Sequence, residues 1–115
     1  MVQYSRSRNR TDRVLAAISD PTRRAIVDRL ARGPATISDV AARFPMTLTG
    51  FCKHVRVLEH AGLVRRRRRG RDNTLTLSPE PLRDVAQWVL QYREFWTVRL
   101  DRLEEFFAKR GSNKE

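Results

Sequence analysis

Acidic residues are scarce in this chain, cysteine and histidine are scarcer, and no long apolar run occurs at all. Thirteen Asp and Glu stand against 24 Lys and Arg among 115 residues, a formal net charge of +11. The single cysteine, Cys52, excludes an intramolecular disulfide and a cysteine-built zinc cage, which fits a reducing, cytosolic setting. No apolar stretch approaches the ~20 residues that cross a bilayer. The opening Met1-Val2-Gln3-Tyr4-Ser5-Arg6 lacks the apolar segment of a secretory signal. The expectation is a cytoplasmic protein with no membrane partner. Also missing are a Gly-rich phosphate loop, a nucleophile elbow and a His-Glu-x-x-His pair. The carboxylates stand singly or in pairs such as Glu104-Glu105, whereas a metal-dependent nuclease wants them clustered. An enzyme is therefore not expected, and no residue is assigned a catalytic role.

What is present is charge in one place. Apolar residues make up 40% and charged residues 32%, enough for one domain with a modest core. Residues 1–78 carry 17 basic and 6 acidic side chains; residues 79–115 carry 7 of each. The whole excess belongs to the first two-thirds of the chain. That partition describes a polyanion-binding body joined to a neutral module with another task. The neutral part holds Trp88, Tyr92, Phe95, Trp96, Phe106 and Phe107, the composition of an interaction element.

Local signals divide the basic part. Residues 1–10 are polar, carry Arg6, Arg8 and Arg10, and show no periodicity, so they read as a flexible basic arm. Thr11 can cap a helix with the stripe Val14, Leu15 and Ile18. Asp20-Pro21 restarts a helix, with a capping carboxylate followed by proline where a missing N–H costs nothing. Thr36-Ile37-Ser38-Asp39 opens a short helix by capping-box chemistry. Thr47 can cap a longer one with Phe51, Val55 and Leu58 inward, closed by Gly62. Helix, short turn at Pro45-Met46, helix: this is the helix-turn-helix layout, whose second helix reads bases from its N-terminal half.

Arg65–Arg69 then precede Gly70-Arg71-Asp72-Asn73 and the alternating Thr74-Leu75-Thr76-Leu77. The pattern predicts a two-stranded ribbon with turn chemistry at its tip. Arg65, Arg67 and Arg69 should face one way, Arg66 and Arg68 the other. From Pro79 the period becomes helical for about thirty residues through Leu82, Val85, Val89, Tyr92, Trp96, Leu103 and Phe106. A helix that long would approach ~45 Å. Its apolar surface exceeds what one small body covers, which marks a subunit interface.

These motifs together are recognisable. Asp20-Pro21-Thr22-Arg23-Arg24-Ala25-Ile26, Met46-Thr47, Lys53-His54-Val55-Arg56-Val57-Leu58-Glu59-His60-Ala61-Gly62-Leu63-Val64 and Gly70-Arg71 resemble, in order, the ArsR/SmtB-type winged-helix repressors of bacteria. The resemblance covers residues 11–108. It implies a mainly α fold: a winged helix-turn-helix over 11–78, a dimerisation helix over 79–108 and a tail at 109–115. It further implies a homodimer on double-stranded DNA, paired through its first and last helices. Metal-sensing members carry Cys-x-Cys just before the Asp that matches Asp39; here those positions are Thr36 and Ser38. Residues 79–115 contain no His, which the other common metal site requires. No metal and no cofactor are therefore expected. Thr49, Gly50 and Cys52 replace the family's usual proline, alanine and serine, which alters operator preference rather than groove binding.

The expected DNA contacts are Thr47, Leu48, Thr49, Cys52, Lys53 and His54 on the second helix, with Arg65, Arg66, Arg67, Arg68, Arg69 and Arg71 on the ribbon. The expected dimer contacts are Val14, Leu15, Ile18, Val85, Trp88, Val89, Tyr92, Phe95, Trp96, Leu100, Leu103 and Phe106. Each has a plainer reading: a solvated helix face, a solvated charge run, packing at a seam. Cys52 lies near Lys53 and Arg56, which favour a thiolate, yet a small packed residue is the simpler account. His54 and His60, six apart, cannot clasp one metal. The expected function is a sequence-specific regulator, a repressor on an inverted-repeat operator, in the nucleoid when bound. Two alternatives stand beside it: a less specific architectural or RNA-associated protein, and a Cys52-based redox switch.

Overall fold

The computed structural model describes residues 6–112, which form two units, one through Val85 and one from Ala86. The first unit opens with α1 (Arg6–Ala17) and α2 (Pro21–Leu30). Asp20 caps α2, its carboxylate accepting the Arg23 N–H at 3.0 Å, and Pro21 is the first helical residue. A short strand β1 (Ala35–Thr36) leads into α3 (Ile37–Ala41), where Thr36 Oγ1 accepts the Asp39 N–H at 3.1 Å. The longer α4 (Leu48–His60) is capped by Thr47, whose Oγ1 accepts the Gly50 N–H at 3.0 Å. Gly62, at a φ of 78°, turns the chain out of α4 in the left-handed region that side chains avoid.

The hairpin β2 (Val64–Arg69) and β3 (Asp72–Leu77) follows. Its loop is the two residues Gly70-Arg71, with Gly70 at a φ of 61°, as a tight hairpin turn demands of its first position. The sheet has three strands in the order β1-β3-β2, all antiparallel, with Ala35 opposite Leu75 and Arg66 opposite Leu75 on the other side. The expected ribbon thus gains a third strand. Burial explains the register: Leu75 is wholly buried, Leu77 half-buried, and Val64, opposite Leu77, is buried too. The core joins Val14 and Ala17 of α1, Ile26, Val27 and Leu30 of α2, Val40 of α3, and Phe51, Val55 and Leu58 of α4. It fixes α4 from one side only.

Three expectations are corrected. Helix α1 begins at Arg6, so Arg6, Arg8 and Arg10 are helical rather than part of an arm; residues 1–5 of that arm and 113–115 of the tail lie outside the described residues. Val14, expected on an interface, is wholly buried in the core of the chain. The single long helix over 79–108 is two, α5 (Glu80–Leu90) and α6 (Arg93–Ser112). At the break the Gln91 N–H is shared between the carbonyls of Gln87 and Trp88, and the Tyr92 N–H bonds Val89, three residues back. That tightening of the last turn ends α5.

Among the described side chains from Ala86 onward none is buried. Trp88, Val89, Leu90, Tyr92, Phe95, Val98, Leu100, Leu103, Phe106 and Phe107 are all exposed. Trp88 and Tyr92 meet edge to face at 5.9 Å, and the Arg99 guanidinium lies 4.8 Å from the Phe95 ring centre. The side chain of Trp96 lies outside the described residues.

Candidate nucleic-acid interface

Helix α4 presents one apolar and one polar face because Phe51, Val55 and Leu58 recur at steps of four and three. With that stripe buried, Thr47, Leu48, Thr49 and Lys53 are exposed. Gly50 is a tight fit: a Cβ there would stand 3.2 Å from Thr47 Oγ1, the atom that caps the helix. The exposed first turn is therefore held in a fixed shape by the cap. Thr47 Oγ1, having accepted from Gly50, keeps its own O–H to donate outward.

Two residues expected on this surface are less exposed than the others. Cys52 is half-buried and packs against the core. His54 is half-buried and turned toward α2: Arg23 Nη1 lies 3.2 Å from its Nδ1, and the Asp20 carboxylate 4.0 Å away. Arg23 also bonds the Ala17 carbonyl at 2.6 Å, so Asp20, Arg23 and His54 lock α1, α2 and α4 together. The sequence held no signal for this lock beyond the Asp20 cap.

The Arg23 N–H bond, more than the nearby charges of Arg23 and His54, holds the Asp20 carboxyl below its ordinary range. A carboxyl lowered in the folded state stabilises it above the unfolded value, about 3.9, and that contribution disappears as pH falls through the lower folded value. Asp20→Asn keeps a capping oxygen but cannot titrate. Its thermal midpoint should fall less than the native one between about pH 6 and about pH 2, measured by circular dichroism. An identical fall would place the acid sensitivity elsewhere.

On the hairpin, paired residues share a face, so Arg66 lies over Leu75 and Arg65, Arg67 and Arg69 lie beside Thr76, Thr74 and Asp72. The alternation expected of the arginine run holds, and the two faces have different fates. Arg66 donates to Glu59 Oε1 of α4 at 2.8 Å, and Arg68 Nε to the Gly70 carbonyl at 3.2 Å. Arg65, Arg67, Arg69 and Arg71 are exposed. The Arg66–Glu59 pair therefore ties the hairpin to α4, leaving the other face as a row of guanidinium groups, planar and weakly hydrated, suited to phosphates.

An open groove of about 600 Å³ between α1 and α4 is lined by Arg13, Ala16, Ala17, Arg23, Val57, His60 and Ala61. Among the described residues no three of His, Cys, Asp and Glu converge as a metal site, and no helix is long and apolar enough to cross a membrane.

Comparison with known proteins agrees with this geometry. A helix-turn-helix domain family matches residues 18–67. The transcriptional repressor SdpR of Bacillus subtilis is 34% identical over 79 residues, which span 69% of this chain and 88% of that protein. The crystal structure of the ArsR family transcriptional regulator RHA00566 is 40% identical, with a TM-score of 0.70 over 84% of this chain and 97% of that one. A solution structure from Mycobacterium bovis, described as a homodimeric winged helix-turn-helix DNA-binding domain, is 26% identical, with a TM-score of 0.61 over 80% and 91% of the two chains.

Proposed function

The chain belongs to the ArsR family of transcriptional regulators, and on that premise we propose that it is a homodimeric repressor binding an inverted-repeat operator without a metal cofactor. The observation that carries this reading is the pairing of two exposed surfaces in the unit that holds the net charge. One is the capped first turn of α4, with Thr47, Leu48, Thr49 and Lys53; the other is the arginine face of the hairpin. The first suits base edges in a major groove, the second the phosphates beside it. That the Bacillus relative is a repressor supports the repressor assignment, and that the Mycobacterium bovis domain is homodimeric supports the dimer. The exposed apolar side chains after Ala86 supply a surface a second copy would cover, and Leu15 of α1 is exposed as well.

Selection of bound fragments from genomic DNA tests the whole reading. One site should be preferred over random DNA by ~10³ or more at physiological salt. Equal affinity for all sequences would favour an architectural role. Loss of binding on mild oxidation, abolished by Cys52→Ser, would favour the redox switch.

Two narrower outcomes follow. Replacing Arg67 and Arg71 with alanine should weaken binding to every DNA sequence and flatten the plot of log K against log salt by about one for each lost phosphate contact. An unchanged slope would remove the hairpin from the DNA. Stoichiometric zinc or arsenite should leave operator binding intact, because Thr36 and Ser38 offer no soft ligands. Release of DNA on binding one metal per subunit would overturn the metal-free reading.

A further inference from the structure

Through Val85, the exposed large apolar side chains among the described residues are Leu15 at 36%, Val57 at 40% and Leu48 at 59%. Leu48 is the first residue of α4, beside the Thr47 cap. It continues the stripe of Phe51, Val55 and Leu58 by one step of three, but the core ends at Phe51, so its side chain stands in solvent. Folding gives no reason for leucine here, since a polar side chain serves the first helical position equally well.

Recognition does give one. On the reading above, on which this inference rests, the first turn of α4 enters the major groove. Leucine has no donor or acceptor, so it cannot read the hydrogen-bonding pattern of a base edge. What it can distinguish is the apolar group in that groove, the 5-methyl of thymine. Its neighbours complement it: Thr47 retains an O–H to donate, and Lys53 suits guanine or phosphate. We propose that Leu48 is a specificity-determining residue that selects thymine by packing on its 5-methyl group.

The test begins with selection of an operator from a random duplex library by the full chain. Each thymine of that operator is then replaced in turn by deoxyuridine, which removes the methyl and keeps the pairing, and affinities are read by fluorescence anisotropy. The native protein should lose about fourfold at one thymine in each half-site, the factor that burying one methyl supplies. Leu48→Ala, which changes both protomers, should bind the thymine operator about as weakly as the native protein binds the operator with that thymine replaced in both half-sites, and should no longer distinguish the two. Because Leu48 is exposed, the variant should unfold at the native urea midpoint. Selection repeated with Leu48→Gln, whose amide can pair with adenine N6 and N7, should lose the thymine preference at that step. A flat uracil scan for the native protein, an undiminished methyl effect in Leu48→Ala, or thymine retained by Leu48→Gln would each overturn the proposal. Failure to select any sequence is a different result: it would overturn DNA reading by α4 itself, and Leu48's role with it.

Discussion

Phe51→Ala should lower the unfolding free energy by about 3–5 kcal/mol, a large part of the roughly 5–15 kcal/mol that holds such a domain folded. The ring is fully buried, 5.7 Å from that of Phe44, and shares the inner face of α4 with Val55 and Leu58. Removing it takes away the transfer free energy of a large aromatic group and leaves a cavity that the capped helix cannot collapse to fill. The site depends on the same contact, because α4 is held from its inner side while its outer side meets the solvent. Lys53→Ala is the useful contrast. Lys53 is exposed, so its loss should change stability by no more than about 0.5 kcal/mol while weakening DNA binding. Urea unfolding and operator titration on both variants separate scaffold from contact. A loss below about 1 kcal/mol for Phe51→Ala would mean that α4 is anchored elsewhere.

What was legible in the sequence was whatever depends on neighbours along the chain. Asp20-Pro21, Thr36, Thr47 and Gly62 each mark a helix end, because a cap or a left-handed turn is made within about four residues. The hairpin was legible because Gly70-Arg71 and the alternation of Leu75 and Leu77 are local too. Strand β1 was not: two residues carry no period, and they become a strand only by pairing with Leu75 and Thr74, about forty residues away. His54 looked like part of the outer surface on a helical wheel, but its partners Asp20 and Arg23 belong to the cap and first turn of another helix. Arg66 belonged to a uniform run until its register placed it within reach of Glu59. The break after Leu90 has no proline or glycine to announce it. That Leu48, already among the expected contacts, stands clear of the core follows from where the core stops, which periodicity alone does not tell.

Charging the tail should abolish tight DNA binding without touching α4, the helix proposed to read DNA. Leu103 and Phe106 lie three apart on α6, and both are exposed in the protomer. Leu103→Glu with Phe106→Glu places two carboxylates on that surface. In an isolated chain this costs little, since both positions already face water. In a two-fold interface each substitution appears twice, among the same apolar side chains of the other copy, and the unpaired charges oppose association. The proposed dimer presents two identical α4 helices to half-sites whose centres lie about 34–36 Å apart along one side of the duplex. Joining them makes the second contact intramolecular, which can raise affinity about 10²–10⁴-fold with no new contact to DNA. The charged variant should forfeit that gain on the full operator while binding an isolated half-site about as well as the native chain does. Analytical ultracentrifugation at micromolar concentration decides the matter. The native protein should sediment at twice the 13.5 kDa chain mass and the variant at the chain mass. A native species of 13.5 kDa would end the dimer reading, and the inverted-repeat operator with it.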